Sequence, residues 1–131
     1  MFTRQIIKED YSELCKWWKA WGWQYPIPLD MLSNEGIMVR EDEVNICAGF
    51  LYLMTNAPIA WFTFPVSNPE IRGEKRDVAM RLLLQQVSLI AEKNGVKYIY
   101  SSLKNQSMIK RQKDEGFTVT DTNLTELIKI L

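Results

Sequence analysis

The residue types that carry acid–base and nucleophilic chemistry are few in this chain. Histidine is absent, which removes Ser-His-Asp and Cys-His nucleophilic machinery, histidine general bases and His-bearing zinc sites. The two cysteines, Cys15 and Cys47, form no CxxC and cannot supply a four-thiolate site, so no metal is expected. Both sit among apolar residues and read as buried free thiols in a reducing compartment. The remaining chemistry lies in carboxylates, hydroxyls and cations. Glu41-Asp42-Glu43 is an acidic cluster between two apolar runs, and Tyr100-Ser101-Ser102 closes a third run. The loop Arg72-Gly73-Glu74-Lys75-Arg76 gathers three cations ahead of a long helical pattern, and Lys110, Arg111 and Lys113 read as a solvated helix face. Four of the five tryptophans or their neighbours crowd into one place: Trp17, Trp18, Trp21 and Trp23, followed by Tyr25.

The elements that must position these residues follow from periodicity. Phe2 to Ile7 is a short strand candidate. A helix capped near Asp10 follows, with Tyr11, Leu14, Cys15, Trp18 and Trp21 on its buried face, and Gly22 and Pro26-Ile27-Pro28 end it. That face leaves Trp17, Trp23 and Tyr25 without a packing role, as candidates for a ligand wall or an interface. Leu29 to Leu32 makes a short helix. Ile37–Arg40, Val44–Met54 and Ile59–Val66 read as three strands joined by short hairpins. Asp77 is the expected N-cap of the strongest helix, where Met80, Leu83, Leu84, Val87, Ile90 and Ala91 repeat with helical period and Gly95 is the stop. Val96 to Ser101 then runs parallel to the strand before that helix, by a right-handed crossover. Asn105 or Ser107 caps a last helix ending at Gly116, and Phe117–Thr120 with Leu124–Leu131 close the chain as a hairpin. The expectation is a single domain over residues 1–131 of the α+β class, with a mixed sheet in the order β-α-(α)-β-β-β-α-β-α-β-β. An antiparallel meander comes first and one parallel crossover follows.

That order is joined by local landmarks. Val66-Ser67-Asn68-Pro69-Glu70-Ile71-Arg72-Gly73, the long helix, Asn94-Gly95-Val96-Lys97, Asn105 and Glu115-Gly116-Phe117 succeed one another along the chain. Together they resemble the GNAT superfamily of N-acetyltransferases, as a short, phage-like or bacterial member. The resemblance implies acetyl-CoA as cosubstrate and acetyl transfer to an amine, carried by a small molecule or a protein. It implies a pyrophosphate on the backbone of the long helix's N-terminus, where orphan N–H groups and the positive dipole end favour an anion. The cofactor residues it implies are Phe64 and Val66 on the fourth strand, Arg72, Gly73, Lys75, Arg76, Val78 and Ala79 at the loop and helix start, and Asn105. Asn105 is equally explained as a plain N-cap, and the loop as a solvated turn. Trp21, Trp23 and Tyr25 would line the acceptor pocket. Glu41, Asp42 or Glu43, or a water held by Tyr100, Ser101 or Ser102, would take the amine's proton.

The chain departs from the family at two places. Aligned from Arg72, Lys75 and Asp77 stand where the phosphate loop carries its glycines; aligned from the helix end, Lys75, Val78 and Met80 take its three key places, and both glycines are again missing. Gln112, five residues before Phe117, stands where many members place a tyrosine that protonates the leaving thiolate. A second reading follows from these losses: a catalytically inactive GNAT-like binding or virion-associated protein that uses the tryptophan-rich loop as a partner surface. A homodimer fits the same aromatic residues. The 16 Lys and Arg balance 16 Asp and Glu, so no basic surplus argues for nucleic acid. No apolar run approaches the length of a membrane span, and Met1-Phe2-Thr3-Arg4 does not begin a signal peptide. A cytoplasmic protein is expected, in the host cytoplasm if the source is viral.

Overall fold

A computed structural model describes residues 1–24 and 26–131. Five strands form one sheet in sequence order: β1 (Phe2–Gln5), β2 (Glu35–Glu41), β3 (Val44–Leu53), β4 (Ile59–Ser67) and β5 (Tyr98–Ser101). The pairings from β1 to β4 are antiparallel, and β4 pairs β5 in parallel. Short turns join β2, β3 and β4, a longer connection over residues 6–34 joins β1 to β2, and the parallel step needs a crossover, supplied by helix α2 (Gly73–Lys93). Helices α1 (Tyr11–Ala20) and α3 (Gln106–Asp114) complete the mixed α+β architecture.

The sheet is covered on both faces, so its central strands bury side chains in both directions. On one face α2 sets Ala79, Met80, Leu83, Leu84, Val87 and Ala91 against Ile37, Val39, Ile46, Leu51 and Phe62. On the other, α1 sets Leu14, Trp17 and Trp18 against Met38, Ala48, Phe50 and Val66. Cys47 is buried, and that burial pushes its thiol far above the usual range, while Cys15 is half-buried and also free. Gly49 is required by close approach: a Cβ there would lie 2.5 Å from Phe62 Cε1. Among the described residues, no helix is long and apolar enough to cross a membrane.

Several expectations are corrected. Trp17 is buried, whereas Trp21, expected on the buried face, is 47% exposed. Leu14, Trp17 and Trp18 stand at i, i+3 and i+4, and α1 stops at Ala20, so Trp21 has left the helical period. Helix α2 begins at Gly73, four residues before the expected cap, and Asp77 lies inside it, bonded to Arg81 and Arg111. Asp10 precedes α1 without capping it; its carboxylate binds Arg4 and the Ile7 amide instead. Strand β2 starts at Glu35, and β5 at Tyr98 rather than Val96.

The closing hairpin is not formed. No strand follows β5 among the described residues, and Leu124, Leu127, Ile128, Ile130 and Leu131 are 68–105% exposed. Asn123 does adopt a left-handed turn conformation, φ 59°, where a hairpin would reverse. A two-stranded hairpin gains too little without a packed face, and this one has none.

Candidate functional site

The site originates in a defect of the sheet. Strand β4 carries two residues, Phe64 and Pro65, opposite the single Gly49 of β3: Thr63 pairs Phe50 and Val66 pairs Ala48. Such a bulge bends the strand and increases its twist. Pro65 has no N–H to offer a ladder, so a bulge is where a sheet tolerates it. Phe64 adopts φ +57°, which costs a residue with a Cβ about 1–2 kcal/mol. Its ring is held edge-on by Trp23, centroid distance 6.3 Å, and by Tyr52, at 6.2 Å.

The bulge separates β4 from β5. Ile59 to Phe62 pair with Tyr98 to Ser101, and the pairing stops there. From Thr63 onward β4 has only β3 as a neighbour, and a cleft of about 360 Å³ opens beside it. Tyr52, Trp61, Thr63 and Phe64 line it from the sheet, Met31 from the short 3-10 helix Leu29–Met31, Ser102 from the loop after β5, and Glu126 from the C-terminal segment.

Strand β4 leads directly to the N-terminus of α2. Asn68 ties the connecting turn to the sheet: its Nδ2 donates to the Asn45 carbonyl, and its Oδ1 accepts from the Glu70 amide. Gly73 has φ +65°, a conformation that favours glycine. Arg72, at the N-cap position, provides no side-chain acceptor to the first turn. The amides there keep their capacity to bind an anion, with Arg72, Lys75 and Arg76 nearby in sequence.

Several solved structures share this architecture, acetyltransferases among them. The ribosomal-protein-S18-alanine N-acetyltransferase of Escherichia coli superposes with a TM-score of 0.73 at 12% identity, over 92% of this chain and 79% of that one. Rv2747 of Mycobacterium tuberculosis, solved in complex with CoA and NLQ, gives 0.73 at 11% identity, over 95% and 76% of the two chains. TTHA1254 of Thermus thermophilus gives 0.70 at 18% identity over 100% and 98%. The chain has the GNAT fold. No protein-family model matches the sequence, and no curated protein does.

Within this GNAT fold the residues singled out from sequence fall into three groups. The first lies at the α2 N-terminus. Lys75 Nζ is 2.9 Å from Glu41 Oε1, so a candidate anion ligand and a candidate base are partners of each other. The same ammonium holds the Glu41 carboxyl below its ordinary value, which weakens it as a base. Arg76 stacks over the Trp21 ring at 5.4 Å, and Trp21 Nε1 donates to the Ser67 carbonyl at the end of β4. Val78 is exposed and Ala79 fully buried against the core. Asp77, bonded by Arg111 and Arg81, is held below the usual carboxylate range, and its charge is matched away from the loop.

The second group surrounds the cleft. Phe64 lines it, and Val66 is buried under α1. Tyr100 stacks on Trp61, centroids 5.1 Å apart, and Ser102 is a cleft residue. Trp23 supports the cleft from behind, through Trp18 and Phe64. Tyr25 lies outside the described residues. The third group is apart from both. Glu43 sits at the exposed tip of the β2–β3 hairpin, where its carbonyl accepts from Arg40. Asn105 Oδ1 accepts from the Met108 amide and caps α3. Gln112 is buried, donating to Ser101 Oγ at 3.0 Å where β5 ends.

Met31, Tyr52, Trp61 and Glu126 were not singled out by sequence reasoning. Tyr52 and Trp61 sit directly opposite each other on β3 and β4, a pairing that register alone exposes. Burial pushes the Tyr52 phenol up, and its hydroxyl donates to the Met31 carbonyl. No group of three or more Cys, Asp or Glu side chains that could hold a metal ion is found among the described residues.

Proposed function

We propose that this protein is an acetyl-CoA-dependent N-acetyltransferase acting on an amine by direct transfer in a ternary complex. The observation that carries the reading is the departure of β4 from β5 after Phe62 and Ser101, next to an uncapped helix N-terminus. The unpaired backbone edge from Thr63 to Val66 is suited to hydrogen-bond the amide-bearing pantetheine arm. The first-turn amides of α2, with Arg72, Lys75 and Arg76, are suited to its pyrophosphate. Backbone approach there rests on Gly73 alone. When bound, the cosubstrate would supply the activated thioester; the amine forms the new N–C bond as the C–S bond breaks, the sulfur leaves as the CoA thiolate, and the amine's proton passes to water.

The chain's own residues contribute position more than proton transfer. Gln112 is engaged with Ser101, and Tyr52 with the Met31 carbonyl, so neither is placed as a strong acid. Holding amine and thioester together is the main source of rate in this reading. A purely binding role for the tryptophan-rich loop has less support: Trp17 and Trp18 are buried, and Trp21 is bonded to β4. Two free cysteines support a reducing, cytoplasmic compartment.

Thermal unfolding with acetyl-CoA tests the reading. A ligand at a hundred times its dissociation constant adds about 2.7 kcal/mol, which raises the midpoint of a domain this size by roughly 10 °C. The shift should shrink in K75E/R76E. An unmoved midpoint at millimolar acetyl-CoA would refute the assignment.

A further inference from the structure

We infer that the cleft beside the β4 bulge is selective for a primary ammonium group carried on an aromatic or apolar arm and lacking a carboxylate. The inference rests on the acetyltransferase reading above and narrows its acceptor. Three aromatic rings, Tyr52, Trp61 and Phe64, form the wall, with Met31 at one end. Their arrangement is fixed by mutual contact: Tyr52 meets Phe64 edge-on at 81°, and Trp61 is backed by the stacked Tyr100. Trp61 is 38% exposed, so ring surface remains for a ligand.

Charge decides which ligand fits. Among the described residues lining the cleft, Glu126 is the one charged side chain, and no Lys or Arg joins it. Aromatic faces attract cations through their quadrupole, and a carboxylate beside them adds to the same field. An ammonium is favoured on both counts. A carboxylate on the ligand would face Glu126 with no cation to offset it, so amino acids are selected against while the corresponding decarboxylated amines are accepted. The volume of about 360 Å³ suits one ring and a short amine-bearing arm.

The test uses the whole chain without acetyl-CoA, following tryptophan emission during titration with 2-phenylethylamine, 2-phenylethanol and phenylalanine. The amine should bind saturably and about tenfold tighter than the alcohol, with phenylalanine weakest. In E126Q the amine should fall to within about threefold of the alcohol, whose own affinity is unchanged. Glu126 is exposed, so this variant leaves the fold intact, and W61F should remove most of the emission change. Equal binding of amine and alcohol by the native chain, an unaltered preference in E126Q, or no saturable response to any probe overturns the inference. An acetyl-CoA midpoint shift that persists alongside such a result leaves the acetyltransferase reading standing. Loss of both removes both.

Discussion

Replacing Gly49 by Ala should destabilise the protein and disturb the cleft together. The added Cβ would lie 2.5 Å from Phe62 Cε1, 2.7 Å from Phe62 Cζ and 3.4 Å from Leu83 Cδ2. Phe62 and Leu83 are both fully buried, so the ring must retreat by roughly an ångström into a close-packed layer under α2. Overpacking of that kind costs about 1–3 kcal/mol. Against it, Ala restricts the unfolded chain more than Gly does, an offset of about 0.5–1 kcal/mol. The net expectation is a loss of about 1–2 kcal/mol, or roughly 4–8 °C in the unfolding midpoint. Phe62 is also the last β4 residue paired with β5, opposite Ser101, so its displacement should weaken acetyl-CoA binding as well. Urea denaturation gives the first quantity, and the acetyl-CoA midpoint shift the second. Phe62→Leu should relieve the clash, making G49A/F62L more stable than the sum of the single losses. A G49A protein as stable as the native chain, or single losses that add without coupling, would refute the close-approach argument.

Other outcomes follow from individual contacts. Asp10 accepts from Arg4 Nη1 and Nη2 at 2.7 and 2.8 Å and from the Ile7 amide at 2.9 Å, which holds its carboxyl below the usual range. Because the folded value is depressed, this stabilisation is complete above the unfolded carboxylate value and disappears as pH falls through the folded one. Asp10→Asn should therefore cost about 2 kcal/mol near neutrality and flatten the acid limb of a stability–pH curve. Asn105→Ala should lower stability by about 1 kcal/mol, while Asn105→Asp restores it, since either side-chain oxygen can accept from Met108; circular dichroism melts separate the two. Gly73→Ala, forced to φ +65°, should cost about 1 kcal/mol and reduce acetyl-CoA affinity, read by the same midpoint assay.

Local signals in the sequence carry much of the architecture. The repeat from Met80 to Ala91, with Gly95 behind it at φ +74°, specifies α2 and the turn that follows, because helical periodicity and left-handed turn chemistry are properties of neighbouring residues. The short joints between β2, β3 and β4 allow only a meander, and a strand after a helix points to the parallel β4–β5 step. Asn105 is legible as a cap for the same reason: its acceptor and its donor are three residues apart.

The tertiary structure decides what depends on residues distant in sequence. Whether Trp17 or Trp21 is buried turns on where α1 meets β3 and β4, and Asp77 finds Arg111 only across 34 residues. Lys75 meets Glu41 because the β2–β3 hairpin ends beside α2, which changes a candidate base into an ion-pair partner. The closing hairpin fails for the converse reason: its apolar residues Leu124, Leu127, Ile128, Ile130 and Leu131 find no packed face within the chain. The cleft is the clearest case. Phe64 and Pro65 read locally as an aromatic and a proline in a strand, and only their opposition to one glycine across the ladder makes them a bulge. That misfit separates β4 from β5, and Glu126 lines the resulting cleft although no local signal connects it with Trp61.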